Sequence, residues 1–170
     1  GLTIPTRRAY ATPAPGLRAA HWLTVVMLPL LALAAGAGLL APAVYGRNPA
    51  TIVPALRGQD LVTLLAAPAL AAALAGAWRG SQRATLIWLG VLGYMGYTYA
   101  GAAVGYAFAE LTLLYIALFS LTVYALVAAA SALDTTAIAG AFDETTPRRA
   151  VAAFLTMIGL LLAALWLGQI

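Results

Sequence analysis

The sequence predicts an all-α protein, a polytopic transmembrane helical bundle of about five spans. Three observations carry that prediction. Only 8% of the 170 residues are charged and 64% are hydrophobic, with a mean hydropathy of +0.94. Soluble domains carry roughly 25% charged residues. Apolar runs recur at about the 20-residue length that a helix needs to cross a hydrocarbon core about 30 Å thick. The arginines are dispersed at the ends of those runs. The expected spans are 22–45, 61–78, 84–108, 111–133 and 148–168.

Residues 1–21 are rich in Pro, Ala and Arg and read as a cytosolic N-terminal arm, with 22–170 as one transmembrane domain. Span one opens at Trp22 and closes at Tyr45. Ala41-Pro42-Ala43 resembles a signal-peptide cleavage site, but the apolar run is longer than the ~7–15 residues of a signal core, so a retained span is expected. In the first loop, Asn48-Pro49 is a helix-start signal, and Pro54 limits that helix to a turn or two. Asp60 then reads as the N-cap of span two, where its charge also favours the helix dipole. Pro68 is expected to bend this span. The short Arg79–Arg83 connection forces an antiparallel neighbour, with Ser81 as the cap of span three.

Residues 84–133 hold a single charged residue, Glu110, almost at their midpoint. They are expected to form a helical hairpin at the centre of the bundle, with the carboxylate at its tip. A polar loop with Asp134, Asp143 and Glu144 follows, and Thr146-Pro147 leads into span five. The chain starts at Gly1 and ends inside an apolar run at Ile170, which raises the expectation of a C-terminal truncation.

Arginine counts predict the orientation. A cytoplasmic N-terminus puts Arg7, Arg8, Arg18, Arg79, Arg83, Arg148 and Arg149 inside, and only Arg47 and Arg57 outside. Trp22, Trp78 and Trp88 then all fall at the inner interface, as an aromatic belt would.

Six of the eight tyrosines lie in the hairpin. In an antiparallel pair centred near Phe108-Ala109, residues at equal depth have numbers summing to about 217. Tyr94 is then level with Tyr124, and Tyr97 with Ser120. Hydroxyl bonds across the helices, worth about 1 kcal/mol each, would satisfy these groups in hydrocarbon. A substrate- or pigment-lined cavity is the other reading of the same tyrosines. Gly93, Gly101 and Gly105 follow an i+4 line that also carries Tyr97, and Gly101-x-x-x-Gly105 is a close-packing pattern.

The same topology gathers Arg57, Gln59, Asp60 and Glu110 on the outer side. They can be read as a helix cap, a turn and lipid-phosphate contacts, or as a polar pocket with Arg57 binding an anion. The chain has no cysteine, no lysine and one histidine. That removes thiol chemistry, a retinal-type Schiff base and a bis-histidine haem from what it can build alone. A lone interfacial histidine such as His21 is ordinarily structural; axial ligation of a tetrapyrrole is its one cofactor role. No metal, cofactor or catalytic residue is predicted, and no nucleic-acid partner. An enzyme would have to run on carboxylates and phenols, with Asp60 and Glu110 as its acid pair.

Arg57–Pro68 (RGQDLVTLLAAP) followed by Arg79–Ala100 (RGSQRATLIWLGVLGYMGYTYA) resembles an uncharacterised group of bacterial multi-pass membrane proteins. In that group an R-G-Q-D-L-V-T-L segment leads into a span, and a tyrosine-rich span follows. The similarity extends to Ser131–Asp134 and covers about half of the chain. It implies a bacterial cytoplasmic membrane and carries over no catalytic residue. The group often has Asn near the hairpin tip, where this chain has Ala109-Glu110. The leading functional expectation is a non-catalytic structural or assembly subunit, packed in the lipid bilayer against other membrane proteins or copies of itself. The alternative is a transporter or binding protein for a small anionic or amphiphilic solute. It would use Arg57, Asp60 and Glu110 with the hairpin tyrosines, and Pro29 and Pro68 as helix breaks.

Overall fold

A computed structural model describes residues 15–140 and 147–168. Among these the secondary structure is all helical: α1 (Pro15–Leu40), a 3-10 turn (Pro42–Tyr45), α2 (Val53–Trp78), α3 (Gln82–Gly105), α4 (Thr112–Ser131), a short α5 (Thr135–Gly140) and α6 (Arg148–Leu167). Two compact units divide at Leu133 and Asp134. The first is a closed ring of four helices, in which α1 and α3 each pack on both α2 and α4. The second holds α5 and α6. Most of the arm and the acidic pair Asp143-Glu144 lie outside the described residues.

α1, α2, α4 and α6 are each long and apolar enough to cross a membrane. These apolar helices are compatible with an integral membrane protein. At 24 residues α3 is long enough, but its glycines and tyrosines hold its hydropathy below that of the other four.

The helix ends differ from expectation where proline was read as a stop. α1 is helical throughout the described residues from Pro15, taking the last residues of the expected arm into the helix, and ends at Leu40 because Pro42 opens the 3-10 turn. α2 starts eight residues before Leu61, at Val53. Pro54 sits in its first turn, where the missing N–H would have no partner anyway. Asp60 is therefore inside α2 and not its N-cap. Residues 48–52 form turns rather than a separate helix. Both Pro29 and Pro68 lie within continuous helices.

The α2–α3 connection is a Schellman motif. The Ser81 amide donates to the Gly76 carbonyl (3.1 Å) and the Gly80 amide to that of Ala77 (2.9 Å). Gly80 takes the positive φ (80°) that the motif requires. Ser81 then caps α3 as expected, its Oγ accepting from the Ala84 amide (3.3 Å). Between α3 and α4, Thr112 Oγ1 accepts from the Ala109 amide (2.9 Å), which closes the turn that carries Glu110.

The expected central hairpin is half of the ring rather than its middle. The inward stripe of α1 is Ala20, His21, Thr24, Met27, Leu31, Ala34, Ala35 and Gly38, at the three- and four-residue spacing of one helical face. It meets Leu70 and Leu74 of α2, Trp88, Leu92 and Met95 of α3, and Leu118 and Ala125 of α4 in one apolar core. Hydroxyls within the helices bond back to their own backbone: Thr24 to Ala20 (2.9 Å), Ser120 to Ile116 (2.8 Å), Thr122 to Leu118 (2.7 Å). That is how a polar side chain is satisfied without water.

A Cβ on Gly76 would come within 2.5 Å of the Ala84 Cβ, whereas one on Gly90 meets nothing within 4 Å. Gly76→Ala is expected to lower stability by about 1–3 kcal/mol through overpacking. Gly90→Ala is expected not to lower it. Thermal unfolding of the two variants in detergent checks both.

Candidate functional site

One cluster of polar residues in the four-helix unit gathers at the end that carries the 41–52 connection and the α3–α4 turn. The 3-10 turn that follows Pro42 places Tyr45 inward, almost fully buried. Its hydroxyl donates to Asp60 Oδ2 of α2 at 2.5 Å, a short hydrogen bond. Asp60 is only 8% exposed. Gly38 of α1 makes room for this pair. A Cβ there would strike the Asp60 carboxylate and come within 2.7 Å of the Tyr45 hydroxyl.

Around the pair stand further phenols. The Tyr45 ring meets Tyr106 edge-on at 6.1 Å between centroids, Tyr106 meets Tyr115 at 5.7 Å, and Tyr115 meets Tyr99 at 6.1 Å. These are ordinary aromatic packing distances. The Tyr115 hydroxyl is buried without a hydrogen-bond partner, though it lies near enough to Tyr45 to act on its ionisation. Burial, and then the hydrogen bond to Asp60, push the Tyr45 phenol well above the usual tyrosine range.

Beside this pair, Gln59 turns the other way. Its amide nitrogen donates to the Tyr94 hydroxyl (2.5 Å) and to Thr98 Oγ1 (3.2 Å) of α3. The first loop is pinned across the top by two more bonds. Asn48 Oδ1 accepts from the Ala107 amide (3.0 Å), and Arg47 Nη1 donates to the Phe108 carbonyl (3.0 Å). One strap, residues 45–48, thus holds α2 and the α3–α4 turn together.

The residues picked out from the sequence are only partly assembled. Asp60, Gln59 and Tyr94 join the cluster. Arg57 lies on the same helix with its Nε buried and unpartnered, and makes no salt bridge to Asp60 or Glu110. Glu110 is exposed in its turn. Tyr97 and Tyr124 face outward, 61% and 67% exposed, so the expected Tyr94–Tyr124 and Tyr97–Ser120 bonds are not made. Ser120 bonds Ile116 instead. A Cβ on Gly93, Gly101 or Gly105 meets nothing within 4 Å. The close approach between α3 and α4 is at Gly96, where a Cβ would lie 3.4 Å from Thr122.

The expectation missed Tyr45, Thr98, Tyr99, Tyr106 and Tyr115. Tyr45 and Tyr106 end their helices on the same side as Asp60, and that shared end was the available signal.

At the opposite end, His21 is 1% exposed, with both ring nitrogens buried and unpartnered. It is clasped by Trp78 (5.5 Å) and Trp88 (4.9 Å), while Trp88 donates its indole N–H to Thr24 (3.2 Å). A tetrapyrrole would have to displace a tryptophan to reach this imidazole.

Comparisons with protein-family profiles, with curated proteins and with solved structures find no match to the chain. The class that fold and site define is therefore a membrane-type helical bundle with a buried carboxyl–phenol cluster at one end.

Two outcomes follow from the strap. Asn48→Ala is expected to speed hydrogen exchange at the Ala107 amide, read by mass spectrometry, while core amides near Leu92 keep their protection. Tyr45→Phe leaves the Asp60 carboxyl without its donor and is expected to cost about 1–3 kcal/mol in a detergent unfolding titration.

Proposed function

We propose that the protein is a non-catalytic subunit of the bacterial cytoplasmic membrane. It packs against helices of other membrane proteins, or of further copies of itself, through the outward face of α3. The N-terminus lies in the cytoplasm, in keeping with the seven inner and two outer arginines. The observation that carries this reading is what α3 turns away from its own bundle: Gly90, Gly93, Tyr97, Gly101 and Gly105 are all exposed. Exposed glycines let a second helix backbone approach closely. The Tyr97 hydroxyl, near the middle of α3, finds no acceptor in lipid and gains one from a neighbouring helix.

Replacing Gly101 and Gly105 together by Leu tests the interface. No atom of the chain lies within 4 Å of a Cβ at either site, so the fold should hold. The expected result is loss of the assembled species on native mass spectrometry in detergent, with helicity intact. Unchanged assembly would remove α3 from the interface.

One observation favours a second reading, a binding or transport site for a small anionic or amphiphilic solute. It is the buried, unpartnered Nε of Arg57, close along the helix to Asp60. Arg57→Ala should then abolish solute binding measured by calorimetry. Binding that survives the substitution rules out Arg57 as the anion site.

A further inference from the structure

Asp60 carries a carboxyl group into the bundle and makes no salt bridge, although Arg57 stands three residues before it on the same helix. It lies in the second turn of α2, about 10 Å along the axis from Val53 at 1.5 Å per residue. The groups facing it come from every element packed there. The 3-10 turn contributes Tyr45, α3 and its end contribute Tyr99 and Tyr106, and α4 contributes Tyr115. α1 contributes Gly38, which has no side chain. On its own helix, Gln59 is spent on Tyr94 and Thr98, and Arg57 makes no ion pair with it. Every titratable neighbour except Arg57 is thus a phenol.

A bare carboxylate in such surroundings is strongly disfavoured, and one hydrogen bond from Tyr45 does not offset that. Some cation must balance the charge. Among the described residues no group of three His, Cys, Asp or Glu side chains gathers about Asp60, so the six or so oxygen ligands of a metal ion are not assembled there. A proton needs no such set. The strap of Tyr45, Arg47 and Asn48 covers the path to the loop side, and the buried, unpartnered Tyr115 hydroxyl stands ready beside Tyr45.

We propose that Asp60 is the proton-binding site of this bundle, loaded from the loop side when the residue 45–48 strap lifts. In the loading step a hydronium ion gives one proton to the carboxylate and leaves as water. Asp60 loses its negative charge, and Tyr45 stays protonated as donor to Oδ2. The interface on α3 plays no part in this step.

Dicyclohexylcarbodiimide tests the site, because it partitions into membranes and reacts with protonated carboxyls. The carboxyl proton goes to a carbodiimide nitrogen, the carboxylate oxygen bonds to the central carbon, and rearrangement gives a stable N-acylurea with nothing lost. The full chain in liposomes is treated from acid to alkaline pH and mapped by peptide mass spectrometry. The expected result is a single adduct at Asp60, fading as pH rises, several-fold faster in Asn48→Ala and absent in Asp60→Asn. Labelling at Glu110 with none at Asp60, in both the parent and the Asn48→Ala protein, overturns the proposal. So does labelling that sodium ion suppresses and pH does not, which would make the site a metal-cation site. Should Asp60→Asn fail to fold, infrared spectra decide the matter on the parent protein. A protonated-carboxyl stretch that is present at acid pH, fades as pH rises, shifts in heavy water and moves again in Tyr45→Phe supports the assignment, and its absence across that range overturns it.

Discussion

The hydrogen bond from Tyr45 to Asp60 can form only because three separate features of the chain cooperate. Pro42 ends α1 and winds the next residues into a 3-10 turn that places Tyr45 inward. Gly38, in the last turn of α1, leaves the volume that the carboxylate and the phenol occupy. Pro54 lets α2 begin early enough for Asp60 to lie within the bundle instead of at its mouth. Once Tyr45 is fixed, Arg47 and Asn48 follow it across to the α3–α4 turn. The ends of three helices and both connections at that end of the ring are thus tied to one buried pair.

The two ends of the ring solve the same problem with different chemistry. Hydrocarbon leaves no partner for a polar group except the protein itself. At the Tyr45 end, phenols, an amide and a carboxyl hydrogen-bond one another. At the other end, His21, Trp78 and Trp88 close the core with rings, and Thr24 takes the one indole hydrogen bond. Between them the core is Met27, Leu31, Leu70, Leu92, Met95 and Leu118, held by packing and by one hydrogen bond across helices, from the Thr122 hydroxyl to the Met27 sulfur (3.1 Å).

The helices themselves were legible, since hydropathy and length decide them. Their starts were less so, because proline ends a helix when it lies inside and begins one when it lies in the first turn. Pro54 belongs to the second case and moved Asp60 from a cap to the interior. The axial register of the α3–α4 pair was also legible: Gly96 lies beside Thr122, whose numbers sum to 218 against the expected value of about 217. What depth matching cannot supply is rotation about each helix axis. Tyr97 and Tyr124 were given the right level and the wrong face. His21 likewise was read from its position along the helix, and its burial depended on where Trp78 and Trp88 turned. The candidate site was therefore half visible. Asp60, Gln59 and Tyr94 stood out as polar residues in an apolar chain, while Tyr45 entered only as the close of span one and Tyr115 only as one of six hairpin tyrosines.

The turn at Arg79-Gly80-Ser81 bears on how such a chain would enter a bilayer. Its amides are already committed to α2 and its serine to α3, and Gly76 rests against Ala84 at the joint. No slack remains for one helix to cross while the other waits. α3, the least hydropathic of the five long helices, is a poor candidate for recognition by an insertion machinery on its own. Joined this closely to α2, it would cross a bilayer as the second arm of a hairpin, the apolar partner securing the insertion of the polar one.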